Sequence, residues 1–127
     1  MGLETSVLNQ VIEGRKTVEV RLNRGKFRAM TLGRIVCLRQ DIWENGEELG
    51  TKPDMAKIQV VKAEDFDSFS VVFDKVGLEP ILPDVESVEE ALKTYYQFYS
   101  PQEEAEFGVR AITMRCLAGK KITPEPR

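Results

Sequence analysis

The chain of 127 residues contains no histidine. That alone excludes a serine–histidine triad and a histidine-ligated metal. Cysteine is nearly as scarce, with only Cys37 and Cys116. Two thiols without histidine make a poor zinc set, so neither a metal nor a cofactor is expected. Both cysteines sit in strand-like apolar segments and read as reduced, buried core residues of a cytoplasmic protein, a structural disulfide being the weaker alternative. No apolar run approaches the roughly 20 residues that span a bilayer, and no basic segment followed by an apolar run opens the chain, so neither membrane contact nor a signal peptide is expected. Positive charge is not in excess either. Eighteen Lys and Arg against 21 Asp and Glu give a net −3, which excludes a uniformly basic nucleic-acid binder but not a local basic patch.

What is present suffices for one folded domain: 42% of residues are hydrophobic and 31% charged, a balance that supports a core and argues against disorder. The pattern places one domain over residues 1–117, followed by a flexible tail over 118–127. A helix is predicted over about 6–13, capped by Thr5 or Ser6, with Leu8, Val11 and Ile12 as its stripe and Gly14 as its stop. Asn23–Gly25 is a turn, and Lys26–Met30 is too short to assign. Ile35–Leu38 reads as a buried strand. Residues 41–55 are polar and rich in Gly, Glu and Asn, which predicts a loop or a long hairpin connection, with Trp43 free to fold back. Ala56–Val61 alternates as a strand.

A second helix follows, capped by Asp67 or Ser68, striped by Phe69, Val72, Phe73 and Val76 and stopped by Gly77. Leu78–Val85, with two prolines, is a loop. Ser87–Glu90 and Ser100–Glu103 are capping boxes, the second with proline at the first helical position. Val109–Cys116 alternates with apolar groups on both faces and reads as a central strand. The sum is an α+β fold, a small β-barrel flanked by short helices.

The richest segment is Glu13–Asn23. Val18, Val20 and Leu22 alternate with Thr17, Glu19, Arg21 and Asn23, and Lys16 stands at the entrance. A strand of this period sends its valines and leucine to a core and sets the polar groups in a row, roughly 7 Å apart. Such a row suits a polar cleft for a small or phosphate-bearing ligand; it equally describes a solvated sheet face. Within it Lys16 offers a point charge, or a base if burial lowers its pKa. Arg21 offers a fork for a phosphate or a base edge. Glu19 offers an acceptor or a general acid/base, unless it simply pairs with Arg21. Thr17 adds a hydroxyl.

Basic residues crowd the same region: Arg15, Lys16, Arg21, Arg24, Lys26, Arg28 and Arg34, whereas acids concentrate from Asp41 to Glu106. The asymmetry points to a nucleic-acid-facing side, unless the two regions pair with each other in the fold. Tyr95 and Tyr99, four residues apart, are expected to pack inward, leaving Tyr96 to face a ligand.

The order of these pieces resembles the ASCH domain, a branch of the PUA-like superfamily. The signature strand is matched by Gly14, Lys16, Thr17, Glu19, Arg21 and Leu22. Phe66-Asp67-Ser68-Phe69 matches the later aromatic-acidic turn, and Tyr95–Ser100, Glu103, Glu104 and Phe107–Val109 match the closing helices and strand. Gly33-Arg34 departs from the family's glycine–aspartate pair. The resemblance covers about residues 8–115. It implies a PUA-like barrel whose cleft, bordered by the signature strand, takes RNA or a nucleotide-like ligand. Some small members deacetylate N4-acetylcytidine, using a lysine that falls on Lys16, a threonine whose place Glu19 holds here, and a later glutamate that falls near Glu79. The implied ligand-binding set is Lys16, Thr17, Glu19, Arg21, Lys26 and Tyr96, with Lys16 and Glu19 as candidate catalytic residues.

Overall fold

A computed structural model describes residues 1–120 and 122. Nine regular elements appear in the order β1 (Gly2–Glu4), α1 (Thr5–Ile12), β2 (Val18–Leu22), β3 (Ile35–Glu44), β4 (Glu47–Phe66), α2 (Phe69–Val76), α3 (Val88–Tyr95), α4 (Pro101–Phe107) and β5 (Val109–Gly119), with a 3-10 turn at Gly25–Ala29. One five-stranded sheet runs β1-β3-β4-β5-β2. Only the β1–β3 pair is parallel. The sheet curls into a half-barrel and, with its short helices, makes the expected α+β fold.

β5 lies inside the sheet and supports both faces, because its alternate side chains reach two separate cores. Ile112 and Met114 join Leu8, Val11, Leu38, Ile58 and Val60 under α1. Val109 and Ala111 join Val20, Leu22, Phe69, Phe73 and Ala91 under α2 and α3. β2 pairs with β5 in register, Glu19 opposite Ile112 and Val20 opposite Ala111. Directly paired residues share a face. The valines of β2 therefore enter the second core as the alternation predicts, but Glu19 shares the face of the first core. The polar row of β2 is thus turned into the curl rather than out to solvent.

The helix caps follow the chain locally. Ser68 accepts from the amide of Val71 (3.2 Å), and Ser100 and Glu103 complete a reciprocal box (3.1 and 3.0 Å) with Pro101 at its start. Ser87 makes only its own half of the expected box, accepting from Glu90 (3.2 Å). α1 is capped one residue earlier than expected, by Glu4, whose carboxylate accepts from the amide of Ser6 (3.0 Å).

The larger corrections are non-local. Of the two readings of residues 41–55 the hairpin holds, but as paired strand rather than loose connection: β3 and β4 continue through them as an arm closed by Asn45 (φ 53°) and Gly46 (φ 78°), the left-handed pair of a two-residue turn. Pro53 and Asp54 (φ 55°) sit where the pairing jumps from Gln40–Lys52 to Leu38–Ala56. The arm extends beyond the body with both faces largely wet, so it lacks the apolar alternation that marks a half-buried strand.

Strand β1 was not legible either. Three residues carry no period, and their pairing to Arg39–Asp41 is a long-range contact. Cys37 is exposed and Cys116 half-buried, both as free thiols, because Val36 and Leu38 take the inner face of β3 and send Ile35 and Cys37 outward. At the C-terminus Ala118 and Gly119 still pair with β4, and Ile122 exchanges two hydrogen bonds with Asn9 (2.7 and 2.8 Å). Residues 121 and 123–127 of the tail expected over 118–127 lie outside the described residues.

Candidate functional site

After α1 the chain reverses at Gly14 (φ 79°), and the amides of Arg15 and Lys16 return to the carbonyl of Gln10 (2.9 and 3.1 Å). This turn aims the Lys16 side chain inward, where only 3% of the residue stays exposed. Its floor is the two-proline loop. The Pro80 carbonyl accepts from the amides of Thr17 and Val18 (2.9 and 3.0 Å) and pins the loop to β2. The Lys16 ammonium then donates to the carbonyls of Ile81 (2.6 Å) and Val18 (3.0 Å), leaving one of its three donors unused. Burial lowers the Lys16 pKa; the nearby Glu19 carboxylate works against that shift, and Arg21 adds to it.

Glu19 is as enclosed as Lys16, at 5% exposed. Its Oε1 accepts from Arg21 Nε at 3.4 Å, the long limit of a hydrogen bond. Its Oε2 lies 3.9 Å from Lys16 Nζ and, although buried, accepts no hydrogen bond. Arg21 Nη2 donates to the Gly2 carbonyl (3.2 Å), so its guanidinium bridges the two edge strands of the curled sheet.

A cleft of about 770 Å³ opens at this seam, within the range of about 300–1,000 Å³ usual for small-molecule sites. Lys16, Glu19 and Arg21 line it with Leu3 and Glu4 of β1, Asp41 and Trp43 of β3, Leu82 of the proline loop, and Tyr95, Phe98 and Tyr99 from the end of α3 and beyond. Trp43 and Phe98 are largely exposed there, at 53% and 73%. The site therefore combines a buried cation, a buried acceptor without a donor and a forked cation with aromatic walls open to a guest.

Three residues of the six-residue binding set lie elsewhere, as does Glu79. Thr17 is half-buried and outside the cleft lining, and its backbone is committed to Pro80 and β5. Lys26 lines a neighbouring cavity instead. Tyr96 is partly exposed, but its hydroxyl donates to Glu104 Oε1 (2.7 Å), while Glu104 Oε2 accepts from the amide of Phe69 (2.8 Å). Tyr96 thus belongs to the joint between α2, α3 and α4. Glu79 is exposed in the loop and outside the cleft lining. The basic segment is partly neutralised: Arg15 pairs with Asp84, and Arg24 with Glu103 (2.7 Å). Lys26, Arg28 and Arg34 have no acid partner among the described residues.

The cleft residues that sequence reasoning missed are mainly Leu82, Tyr95 and Phe98. Tyr95 was expected to pack, and it does, at 8% exposed, against Phe69 (4.7 Å between rings). It also forms part of the cleft wall, a double role that helical spacing does not reveal.

All three tyrosines of the chain are held above their ordinary pKa. Burial and then the Glu19 charge raise Tyr95 well above 10, burial raises Tyr99, and burial followed by the Glu104 hydrogen bond pushes Tyr96 up to about 12. The folded state thus keeps these protons where the unfolded chain loses them. This stability is fully present below pH 10 and is lost as pH rises through the folded values. An absorbance titration at 295 nm is expected to show almost no phenolate at pH 10, with unfolding overlapping tyrosine ionisation at higher pH. A half-ionised tyrosine at pH 10 in the folded protein contradicts this packing.

Among the described residues no group of three or more Cys, Asp or Glu is placed to hold a metal, and no helix is long and apolar enough to cross a membrane. The sequence pattern of the ASCH domain matches residues 1–117. Among solved structures, the chain is similar to the crystal structure of hypothetical protein PH0355, with 31% identity over 92% of this chain and 96% of the other and a TM-score of 0.72. It is also similar to the solution structure of protein PF0455 from Pyrococcus furiosus, with 31% identity over 92% and 94% of the two chains and a TM-score of 0.67. None of the curated proteins matches.

Proposed function

Because the chain belongs to the ASCH domain family, which is generally associated with RNA, we propose that its cleft binds RNA or a nucleotide-like ligand through a nucleobase seated over Lys16, Glu19 and Arg21. The observation that carries this reading is Glu19 Oε2, a buried carboxylate oxygen without a donor at the wall of an open cleft. An unsatisfied buried acceptor costs about 1–3 kcal/mol, more when charged, and the exocyclic amino group of a base supplies the missing donor. Arg21 reaches only the other oxygen, Oε1, through a long contact, and its side chain is 28% exposed, so it has donors left for a guest. Trp43, Phe98 and Tyr95 provide ring surfaces for the face of the base.

The test is a titration of labelled single-stranded RNA at two salt concentrations. Binding is expected at low salt and weakens at high salt, and Arg21→Ala reduces it about tenfold or more under conditions where a melting curve shows the variant folded. An absence of binding at low salt, or equal binding by the variant, contradicts the reading.

A second reading rests on Lys16 itself. With its pKa lowered, a neutral Lys16 keeps two N–H bonds on the carbonyls of Val18 and Ile81 and has a lone pair to spare. In that state it is a base able to take a proton from water attacking an acylated amino group. The amide C–N bond then breaks, the proton passes to the departing amine, and a carboxylic acid and the free nucleoside leave. N4-acetylcytidine is the probe. Release of cytidine by the wild type, lost in Lys16→Met, supports hydrolysis, and no release at high enzyme concentration removes it.

A further inference from the structure

A second cavity, of about 410 Å³, lies on the other side of Arg21, and the two cavities share Arg21 and Tyr99. Its lining holds three cations, Arg21, Arg24 and Lys26, and no acid. Both guanidiniums are held in place by aromatic rings: Arg21 lies over Phe27 (4.8 Å to the ring centre) and Arg24 over Phe107 (5.2 Å). Such stacking fixes the forks before any ligand arrives, so little side-chain entropy is lost on binding.

Two acids face this group from neighbouring elements. Glu103 of α4 holds Arg24 Nη1 (2.7 Å), and Glu19 of β2 holds Arg21 Nε (3.4 Å). Each guanidinium has five N–H donors, so donors remain on both. Lys26 has no acid partner among the described residues, and the group keeps a net positive charge. The left-handed Gly25 (φ 58°) carries no Cβ on this lining, and nothing lies within 4 Å of where one would stand.

We propose that this cavity is a phosphate seat, so that the guest of the cleft is a phosphorylated nucleotide unit rather than a free nucleoside. The inference rests on the reading of the cleft as a base site. Arg21 would then stand between the two halves of one ligand, with the base on its Glu19 side and the phosphate on its Lys26 side. A phosphate suits three converging N–H-bearing cations, one of them unpaired, whereas an uncharged sugar or base gains little from them. The phosphate is either terminal on a mononucleotide or a diester link of a single strand, and these two sources share the same contact chemistry.

Trp43 is the only tryptophan of the chain and stands at the cleft wall, so its fluorescence reports occupancy directly. Cytidine, cytidine monophosphate and a short cytidine oligonucleotide are titrated against the wild type and Lys26→Glu at low salt. The expected result is binding of the monophosphate or the oligonucleotide about tenfold or more tighter than cytidine, with that advantage lost in Lys26→Glu while cytidine affinity is unchanged. Lys26 is exposed and has no acid partner among the described residues, so the variant is expected to fold as the wild type does, and a melting curve checks this. A gain by the monophosphate assigns the seat to a terminal phosphate, and a gain by the oligonucleotide alone assigns it to the strand backbone. Equal affinity for cytidine and both phosphorylated probes, or an advantage that survives Lys26→Glu, overturns the phosphate seat and leaves the base site standing. No response to any of the three overturns both.

Discussion

Phe69→Ala is expected to destabilise the protein by about 3–5 kcal/mol. Phe69 is fully buried, and its ring sits 4.7, 5.7 and 6.0 Å from those of Tyr95, Tyr99 and Tyr96. Alanine removes the partner of three aromatic rings at once, and each such pair contributes about 0.5–1.5 kcal/mol beyond area burial. The loss also reaches the cleft. Tyr95 and Tyr99 line it and lean on Phe69, so the wall behind the proposed base loses its support. Against a typical total of about 5–15 kcal/mol the change is a large fraction, and the thermal midpoint falls by on the order of 10–20 °C. Urea unfolding measures it. A loss below about 1 kcal/mol would mean that α2 and α3 close over the gap and that the aromatic group does not organise this half of the molecule.

The second large effect concerns Lys16 and Glu19. Removing one partner of a buried ion pair typically costs about 3–5 kcal/mol because it strands the other charge. The side chains of Lys16 and Glu19 are 2% and 7% exposed, so solvent does little to screen them. Lys16→Met keeps the volume yet leaves the carbonyls of Val18 and Ile81 without their donor and Glu19 with Arg21 alone. Glu19→Gln leaves a buried ammonium without its counter-charge. The double variant is expected to cost less than the sum of the singles, by about 1–3 kcal/mol, since each change removes the reason the other is harmful. Strict additivity would mean that the pair, at 3.9 Å, does not interact, and the case for a charged site beneath the cleft would weaken with it.

The pH dependence of the same pair has a definite sign. Because burial lowers the Lys16 pKa, the folded state gives up this proton at a pH where the unfolded chain still holds it. Below the folded value both states are charged, and the cost of burying the ammonium is present in full. Between the folded value and 10.5 the unfolded chain binds more protons, so the Lys16 contribution rises with pH. The tyrosines act in the opposite direction at the upper end of that window, so the lysine effect is read as the difference between wild type and Lys16→Met.

Much of the site was legible. Glu19 and Arg21 were singled out by alternation along one strand and Lys16 by its place at the entrance of that strand, and all three line one cleft. The burial of Glu19 was not legible, since alternation says which residues share a face and not what covers it. The inward turn of that face follows from the pairing of β2 with β5, almost 100 residues away, and from the curl that brings β1 alongside. The charge asymmetry was also only half the story. Arg15 and Arg24 meet Asp84 and Glu103, whereas Lys26 meets no acid among the described residues. Net charge along a chain cannot separate these cases, because ion pairing depends on loops that fold back across the sheet. Tyr96 was expected to face a ligand because Tyr95 and Tyr99 pack; it is held instead by Glu104, a carboxylate on the next helix.

By itself the sequence determined those features that arise within a few residues: the serine caps of α2, α3 and α4, the glycine turns, the parity of β2 and β5, and the absence of any histidine chemistry. These depend on local torsions and on hydrogen bonds spanning one helical turn. Only the tertiary structure decided that the polar row of β2 is enclosed, that Pro80 and Ile81 form the floor beneath Lys16, and that the arm carrying Trp43 and the turn after α3 carrying Phe98 form walls of one cleft. Each of these contacts joins segments far apart in the chain, and its free energy exists only once the sheet has curled and closed the distance between them.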